Sequence, residues 1–288
     1  MKPDPFTGML SVYRPPLVFE LTGRRFKLVF DDGYDRTLVF KDRRTITFGP
    51  EGEEKDFSYE CLKIGDKCYF VSFEDPEARP RAGIVLVLDL VQDLVTMALA
   101  YIGTNPKIPG LPSDEYIFGA IEREDGTLAT KRHGYTTDLF ATAVDWNYGH
   151  FDIAHVYATE HYYRVSFSAR GLARAYRGRP DLRQGNPGES RKPTQSDVYE
   201  DYCTVIRIRD RIYLVGLLET VKARRGGHGN SILVLMNLDE MHDVGRVVFI
   251  ASKKPCLRNA NGNPIFIWRW LLRKIWIGRS GLPRKPQR

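Results

Sequence analysis

The sequence predicts an all-β protein made of two tandem antiparallel β-barrels with little helix. Three observations support this prediction. Short runs of alternating apolar and polar residues dominate the chain, turn signals separate the runs, and a similar order of runs occurs twice. Apolar residues make up 42% of the 288 residues, which is enough to give each of two domains a buried core.

The first half of the chain contains five short runs rich in β-branched and aromatic residues. They read RRFKLVF, DRTLVF, RTITF, CYFVSF and GIVLVLDL. Hairpin turns are indicated by Asp31-Asp32-Gly33 and Gly65-Asp66-Lys67, because these residues tolerate the positive φ angles of tight turns. Strands at this spacing predict an antiparallel sandwich or barrel.

The second half of the chain repeats this pattern. Three pairs of segments match in the same order, and they are Ile64–Phe73 with Ile208–Leu217, Ile84–Leu90 with Ile232–Leu238, and Leu38–Thr45 with His155–Tyr162. We therefore predict an N-terminal barrel over residues 1–125, a C-terminal barrel over residues 126–255 and a basic aromatic extension over residues 256–288. Each barrel has enough strands to enclose one small ligand.

Three segments interrupt the strand pattern. Asn105–Thr130 is rich in Gly and Pro and predicts a linker with one apolar piece, EYIFGAI. Arg170–Asp197 is long and polar, which predicts either a lid over a barrel mouth or a disordered insertion. In the extension, IFIWRWLLRKIWIG predicts a helix or strand packed on the barrels, or else an amphipathic helix that makes weak contact with a membrane surface through residues 265–277.

The net charge of +7 is concentrated in residues 170–192, 222–225 and 269–288. We interpret these segments as solvated loops or tails, and attraction of acidic ligands is the alternative. No nucleic-acid-binding motif is present, so nucleic acid is not expected as a partner. The four cysteines form no C-x-x-C pair and indicate free buried thiols in a reducing compartment. No apolar run is long enough for a signal peptide or a membrane span, so we expect a cytoplasmic protein.

The segment WNYGHFDIAHVYATEHYYRVSF, residues 146–167, holds three of the six histidines. His150, His155 and His161 are five and six residues apart, and strand alternation places His150 and His155 on opposite faces. No H-x-H or H-E-x-x-H motif occurs in the chain. We therefore expect neither a metal ion nor another cofactor.

An acid–base pocket is the favoured interpretation of this segment, because alternation places His155 and Tyr157 on one strand face. The repeat gives four correspondences, and they are Leu28 with Trp146, Phe30 with Tyr148, Leu38 with His155 and Phe40 with Tyr157. The second barrel should therefore be polar where the first is apolar. Polar groups inside a barrel are unfavourable unless hydrogen-bonded, which a ligand would explain. A core histidine bonded to a tyrosine or a carbonyl is the alternative.

Four further residues are candidates for the same pocket. Tyr202 is expected to donate a hydrogen bond, and the planar guanidinium of Arg164 is expected to hold an anionic group of the substrate. His133 could reach a barrel mouth, and Glu219 ends the strand YLVGLLE. Each of the four could instead be a polar residue at a strand edge that faces water.

The segments FDDGYDRTLVF, YECLKIGDKCYFVSF, RHGYTTDL, WNY and AHVY make the chain resemble the molybdenum cofactor biosynthesis protein F (MoaF) family, from about Leu21 to Ile250. The resemblance implies tandem lipocalin-like (calycin) barrels. The barrel is also similar to the single calycin barrel of phenolic acid decarboxylases, which use a Tyr-x-Tyr pair, an Arg and a Glu and need no cofactor. Here Trp146 and Tyr148 replace the tyrosine pair, and Tyr202 aligns with the glutamate. Pericyclases and cyclases with double calycin barrels are a further analogy of fold.

We therefore predict a cofactor-independent lyase, isomerase or cyclase of secondary metabolism. Its substrate would be an aromatic, polyene-like or enolisable small molecule held in the second barrel. His155 and Tyr157 would form the acid–base pair, because an unperturbed imidazole titrates near neutral pH. The other expected roles are hydrogen-bond donation by Tyr148 and Tyr202, stacking on the substrate by Trp146, and substrate binding by Arg164, His133 and Glu219.

Two alternatives from other functional classes stay open. One is a non-catalytic lipocalin-like carrier of a small molecule. The other is an accessory protein of molybdenum cofactor metabolism, which would bind a phosphorylated pterin through the basic loops. A homodimer also stays open, because the sequence does not decide whether barrels pair within one chain or between two.

Overall fold

The computed structural model describes residues 15–78, 82–101, 113–147, 152–167, 198–220, 230–249, 265–271 and 276–277. Antiparallel β-strands account for nearly all the regular structure in these ranges. Within them no helix is long and apolar enough to cross a bilayer. The predicted all-β class is therefore confirmed.

The first eight strands form a closed antiparallel barrel. They are β1 (Arg25–Phe30), β2 (Asp35–Phe40), β3 (Thr45–Gly49), β4 (Lys55–Lys63), β5 (Cys68–Asp75), β6 (Ala82–Asp89), β7 (Leu94–Tyr101) and β8 (Asp114–Ile121). Each strand pairs with the next, and β1 pairs with β8 to close the barrel. The apolar piece of the predicted linker is therefore the closing strand β8. Alternating side chains fill the interior with apolar residues such as Leu28, Phe40 and Ile46.

The remaining strands form a second antiparallel sheet. They are β9 (Gly134–Tyr135), β10 (Thr142–Asn147), β11 (Asp152–Tyr157), β12 (Tyr162–Phe167), β13 (Val198–Arg209), β14 (Ile212–Glu219), β15 (Asn230–Asn237), β16 (His242–Phe249), β17 (Ile265–Leu271) and β18 (Trp276–Ile277). The strands β10 to β17 pair in chain order, β18 pairs with β10, and β9 pairs with β13. The hairpins predicted for residues 146–167 are the meander of β10, β11 and β12.

The strands β17 and β18 agree with the favoured prediction of a helix or strand packed on the barrels. They lie at opposite edges of the second sheet, yet only four residues separate them. Those residues span at most about 18 Å, so the sheet must curl until its edges approach each other. Two parts of the predicted extension over residues 256–288 therefore belong to the second barrel as strands. The amphipathic helix over residues 265–277 is wrong, because both parts pair with neighbouring strands.

Equivalent turns in the two sheets share an uncommon backbone conformation. Lys67 and Arg211, which precede β5 and β14, have φ angles of 48° and 58°. Asp93 and Met241, which precede β7 and β16, have φ angles of 55° and 52°. Positive φ is uncommon outside glycine, so its recurrence at matching turns supports the duplication.

The two barrels pack against each other through the outer faces of their central strands. Apolar residues from both sheets form one buried cluster there, and it includes Leu62, Phe70, Val85, Val87, Leu214, Leu233, Leu235 and Val244. Gln92 Nε2 donates to the Ile208 carbonyl at 2.9 Å, and Asn237 Nδ2 donates to the Ile64 carbonyl at 3.1 Å. Ile64 and Ile208 correspond in the repeat, so the interface is approximately two-fold symmetric.

Three of the four cysteines, Cys61, Cys68 and Cys203, are buried free thiols. This agrees with the expectation of free thiols, and Cys256 lies outside the described residues. Two other segments of the sequence analysis also lie outside them, namely the polar excursion over residues 170–197 and the basic segment 222–225.

Candidate polar pocket in the second barrel

The inward face of the second sheet is polar at positions where the first barrel is apolar. Strand pairing identifies the corresponding positions independently of residue type, since both sheets keep the same register. Five apolar residues are replaced, and the pairs are Leu28 and Trp146, Leu38 and His155, Phe40 and Tyr157, Ile46 and Tyr163, and Val95 and Asp243. The predicted contrast between an apolar first interior and a polar second interior is therefore present in the fold.

His155 lies between two aromatic side chains on this face. Its ring is edge-on to the Trp146 indole, with 6.3 Å between centroids, and edge-on to the Tyr163 ring at 5.6 Å. Burial lowers the pKa of His155 to about 4. The near-neutral pKa that the sequence predicts for this imidazole is therefore wrong. The ring is neutral at pH 7, where it can accept a proton or a hydrogen bond.

The two tyrosines of the face, Tyr157 and Tyr163, are buried at 1% and 2% exposure. Burial raises the pKa of both phenols well above the ordinary value, and the carboxyl groups of Glu219 and Asp201 raise that of Tyr163 further. Both side chains are therefore protonated at neutral pH. They can donate hydrogen bonds toward the interior.

Asp243 is a functional candidate that the sequence analysis missed. It is 1% exposed and lies on the inward face of β16, opposite Met236 of β15. Its Oδ1 atom has no hydrogen-bond partner among the residues that the structure describes. Burial raises the pKa of this carboxyl well above its usual range, which favours the protonated, neutral form of the side chain. The repeat contained the signal, because Leu94–Tyr101 and His242–Phe249 match in register and Val95 corresponds to Asp243.

Two more carboxyl groups lie on the same face, further from β16 along the sheet. Asp201 is buried and accepts hydrogen bonds from the Thr220 amide and the Thr220 hydroxyl, each at 2.5 Å. Glu219 is partly buried at the end of β14. Both act on the same phenol, that of Tyr163. The interior therefore combines acids with phenols, an imidazole and an indole.

A cleft opens at the end of the barrel where β13 turns into β14. Its volume is about 410 Å³, and its lining consists of Asp138, Leu139, Arg207, Asp210, Arg211, Tyr213 and Leu238. The Tyr213 hydroxyl donates to Asp138 at 3.2 Å, and Arg207 Nε donates to the same carboxylate at 2.7 Å. Leu139, Tyr213 and Leu238 also belong to the barrel core. The cleft therefore adjoins the polar interior.

The structure brings Trp146, His155 and Tyr157 together on the inward face, while Tyr148 lies outside the described residues. Glu219 lies at the end of the same face, close enough to Tyr163 to affect its pKa. The catalytic and binding roles assigned to these residues stay predictions.

The expected inward positions of Tyr202 and Arg164 are wrong. Tyr202 is 37% exposed and stacks on Tyr162 with 4.9 Å between ring centroids. Arg164 is exposed on the same outer face and forms an ion pair with Glu200 at 3.3 Å. Alternation explains both outcomes, because Cys203 faces inward beside Tyr202 and Tyr163 faces inward beside Arg164.

His133 is buried between the barrels and not at a barrel mouth. Its Nδ1 atom is 2.8 Å from Thr96 Oγ1, and its Nε2 atom is 3.7 Å from Asp89 Oδ2. The neighbouring Arg132 is held to the first barrel by Asp31 at 2.9 Å. The segment before β9 therefore follows the first barrel, which moves His133 away from the second interior.

The described ranges contain no group of three His, Cys, Asp or Glu side chains that could hold a metal ion. His161 is exposed in the turn between β11 and β12, and His150 lies outside these ranges. The described side chains of the inward face can transfer protons and form hydrogen bonds.

Comparison with known proteins gives one match to a family model. Residues 7–104 match the model described as the MoaF N-terminal domain. The matched residues include β1 to β7 of the first barrel. No curated protein matches the chain.

Proposed function

We propose that the activity of this protein resides in the polar interior of the second barrel, which lies outside the residues that match the MoaF N-terminal domain. The proposed protein is a cofactor-independent enzyme of secondary metabolism, a lyase, isomerase or cyclase. Its substrate is an aromatic or enolisable small molecule. The family match covers residues of the first barrel only. The chemistry of the second barrel is therefore inferred from its own residues.

One observation carries the proposal. Asp243 Oδ1 and Trp146 Nε1 are buried without hydrogen-bond partners in the described part of the chain. A buried polar group without a partner costs roughly 1–3 kcal/mol, and Val95 and Leu28 show that the same fold accepts apolar residues at these positions. A ligand that accepts hydrogen bonds from the carboxyl and the indole would remove this cost.

The proposed chemistry is enolisation. His155, which is neutral, accepts a proton from a carbon next to a carbonyl group. The electrons of that C–H bond form a C=C bond, and the carbonyl oxygen gains the π electrons and is stabilised by hydrogen bonds from Asp243 and Tyr157. Return of the proton to a different carbon gives an isomer, and loss of a leaving group or ring closure from the same enol gives a lyase or a cyclase.

The three buried thiols favour a reducing compartment, and we propose the cytoplasm as the place of action. The proposal assigns no role to the basic segments outside the described residues. It therefore does not require a phosphorylated pterin or a membrane surface as a partner.

The first test identifies the ligand that the protein retains during purification from its native host. Mass spectrometry would compare the wild type with three variants that restore first-barrel residues, His155→Leu, Tyr157→Phe and Asp243→Val. Tyr162→Phe, on the outer face, is the matched control. We expect the wild type and the control to retain one small molecule, and the three variants to lose it.

The second test measures turnover of that molecule in D₂O. The wild type should introduce deuterium next to a carbonyl group, and His155→Leu should do so at least about 100-fold more slowly, since a positioned base contributes about 10²–10⁴ in rate. Retention of the molecule with neither exchange nor conversion would refute the enzyme and identify a carrier.

A further inference from the structure

The side chains of Asp and Glu inside the second barrel are not matched by Lys or Arg side chains among the described residues. Asp201, Glu219 and Asp243 provide three carboxyl groups on or at the end of the inward face. Among the described residues of that face, Lys and Arg are absent except at the rim. Arg164 is exposed on the outside, and Arg246 is buried on the opposite face of β16, where it donates to the carbonyl oxygens of Phe73 and Ile84 in the first barrel.

The cations at the rim of the cleft are already paired. Arg207 binds Asp138, and Arg211 binds Asp239. The remaining charged residue of the lining is Asp210, an acid. An anionic ligand would therefore find no unpaired cation among the described residues along this path, and it would meet carboxyl groups further in.

A continuous row of side chains leads from this cleft to Asp243. Tyr213 of β14 lies opposite Met236 of β15, and Met236 lies opposite Asp243 of β16. Neighbouring strands are about 4.8 Å apart, so the Asp243 backbone lies about 10 Å from that of Tyr213. A molecule of the size of a substituted bicyclic aromatic spans this distance from the mouth to the carboxyl.

We infer that the pocket takes an uncharged molecule with a carbonyl oxygen, which enters through the cleft beside Tyr213 and accepts a hydrogen bond from Asp243. The inference rests on the proposed function, because it names the substrate class of the same site. It differs from the carboxylate substrates that the similarity to phenolic acid decarboxylases implied. The residue expected to hold such a carboxylate, Arg164, lies outside the barrel.

Desolvation explains the preference for an uncharged ligand. A carboxylate would lose its hydration and gain no partner of opposite charge in the described interior. An ammonium ion could pair with Asp243 only after that carboxyl lost its proton, and two charges would then have to be desolvated in a buried site. A carbonyl oxygen needs only the donor that Asp243 already presents.

The test uses three probes that share one ring system. They are 2-acetylnaphthalene, 2-naphthoate and 2-naphthylmethylamine, which are neutral, anionic and cationic at pH 7. Ligand-observed NMR with the full-length protein would measure each dissociation constant. We expect the ketone to bind at least tenfold more tightly than either ion, and tighter or equal binding of an ion would overturn the inference, as would no ketone binding at millimolar concentration.

Variants separate the role of Asp243 from a general loss of structure. Asp243→Asn keeps the shape and a donor, so it should retain ketone binding within about threefold. Asp243→Val removes the donor and should weaken ketone binding about tenfold, the loss expected for about one hydrogen bond. Unchanged ketone binding by Asp243→Val would overturn the role of this carboxyl, and the thermal unfolding of each variant shows whether it is folded.

The route through the cleft has its own test. Leu238→Trp narrows the cleft beside Tyr213, and stopped-flow fluorescence should show association of the ketone slowed at least about tenfold. The same substitution at an exposed site in the β1–β2 turn of the first barrel, Tyr34→Trp, is the control. Equal association rates for the two variants would overturn entry by this route.

Failure of the inference and failure of the proposed function give different results. A protein that binds the ketone but neither converts its retained ligand nor introduces deuterium refutes the proposed function alone. A protein that converts its retained ligand but prefers 2-naphthoate refutes the substrate class alone.

Discussion

Asp243 in β16 occupies the position that Val95 occupies in β7. The pairing shows the equivalence, because Asp243 lies opposite Met236 and Val95 lies opposite Leu88, and these two partners also correspond in the repeat. One barrel thus has a neutral acid where its twin has a methyl-bearing side chain. The buried acid has a cost in stability, and the ligand of the proposed function would offset this cost.

Asp243→Val should stabilise the protein. It removes a buried carboxyl whose Oδ1 atom has no hydrogen-bond partner in the described residues, which is worth roughly 1–3 kcal/mol. The gain should grow as the pH rises above about 4, because the unfolded Asp ionises there while the folded one keeps its proton. Urea unfolding at pH 5 and pH 8 measures both effects. The reciprocal control, Val95→Asp, should destabilise the first barrel, and a lower stability of Asp243→Val at pH 8 would contradict the prediction.

His155 should make the protein acid-sensitive. Its folded pKa of about 4 lies below the unfolded value near 6.5, so the unfolded state binds more protons between these pH values. Stability should fall by roughly 3 kcal/mol as the pH drops from 7 to 4, in addition to the effects of other groups. His155→Leu should remove this part of the slope. The difference between the two proteins in urea midpoint, measured from pH 7 to pH 4.5, checks it, and parallel pH profiles would show that His155 is not responsible.

Asp89 should contribute strongly to the contact between the barrels. It is fully buried, pairs with Arg209 and accepts hydrogen bonds from the Val91 and Gln92 amides at 3.0 and 3.1 Å. Burial by itself raises the pKa of this carboxyl, but the His133 ring 3.7 Å away and the hydrogen bonds from Arg209 and Gln92 outweigh burial and hold the pKa well below its ordinary value. Asp89→Ala should cost roughly 3–5 kcal/mol, because it leaves Arg209 without its buried partner.

Asp89→Asn is the informative companion to this variant. Asn237, the equivalent residue of the second barrel, accepts hydrogen bonds from the Asp239 and Glu240 amides at 2.9 and 3.1 Å. Asparagine at position 89 should therefore keep the turn and lose only the ion pair, so its cost should be smaller than that of alanine. Chemical denaturation of both variants measures the difference. Equal costs would mean that the contact with Arg209, and not the turn, sets the contribution.

Gly216 should tolerate no side chain. A Cβ atom there would overlap the Tyr116 hydroxyl, which donates to Asp114 at 2.5 Å. Gly216→Ala must displace this pair from the interface, at a cost of roughly 1–3 kcal/mol. Gly134→Ala is a matched control, since its Cβ would meet no atom of the described residues within 4 Å. Thermal unfolding of the two variants should differ by several degrees, and equal unfolding temperatures would contradict the close approach.

Much of the fold follows from local sequence pattern. The alternation of apolar and polar residues and the positions of turn residues do not depend on contacts between distant parts of the chain. These two signals therefore locate the strands and the duplication. The same alternation places His155 and Tyr157 on one face, opposite the face of Ala154 and Val156. Alternation does not tell which face becomes the interior. Tyr202 and Arg164 were misassigned for that reason, and the residues beside them, Cys203 and Tyr163, fill the core.

Local sequence pattern was enough to predict the all-β class, many of the strands and the polar character of one segment, because these depend on neighbours in the chain. Only the tertiary structure decided which groups meet there. It brings Asp243 from a distant strand to the face of Tyr157 and His155, and it holds His133 between the barrels against Thr96. It also turns the chain's last strands into edges of the second sheet. These are contacts between residues far apart in sequence, and burial and hydrogen bonding select them only after the sheets have curled and packed.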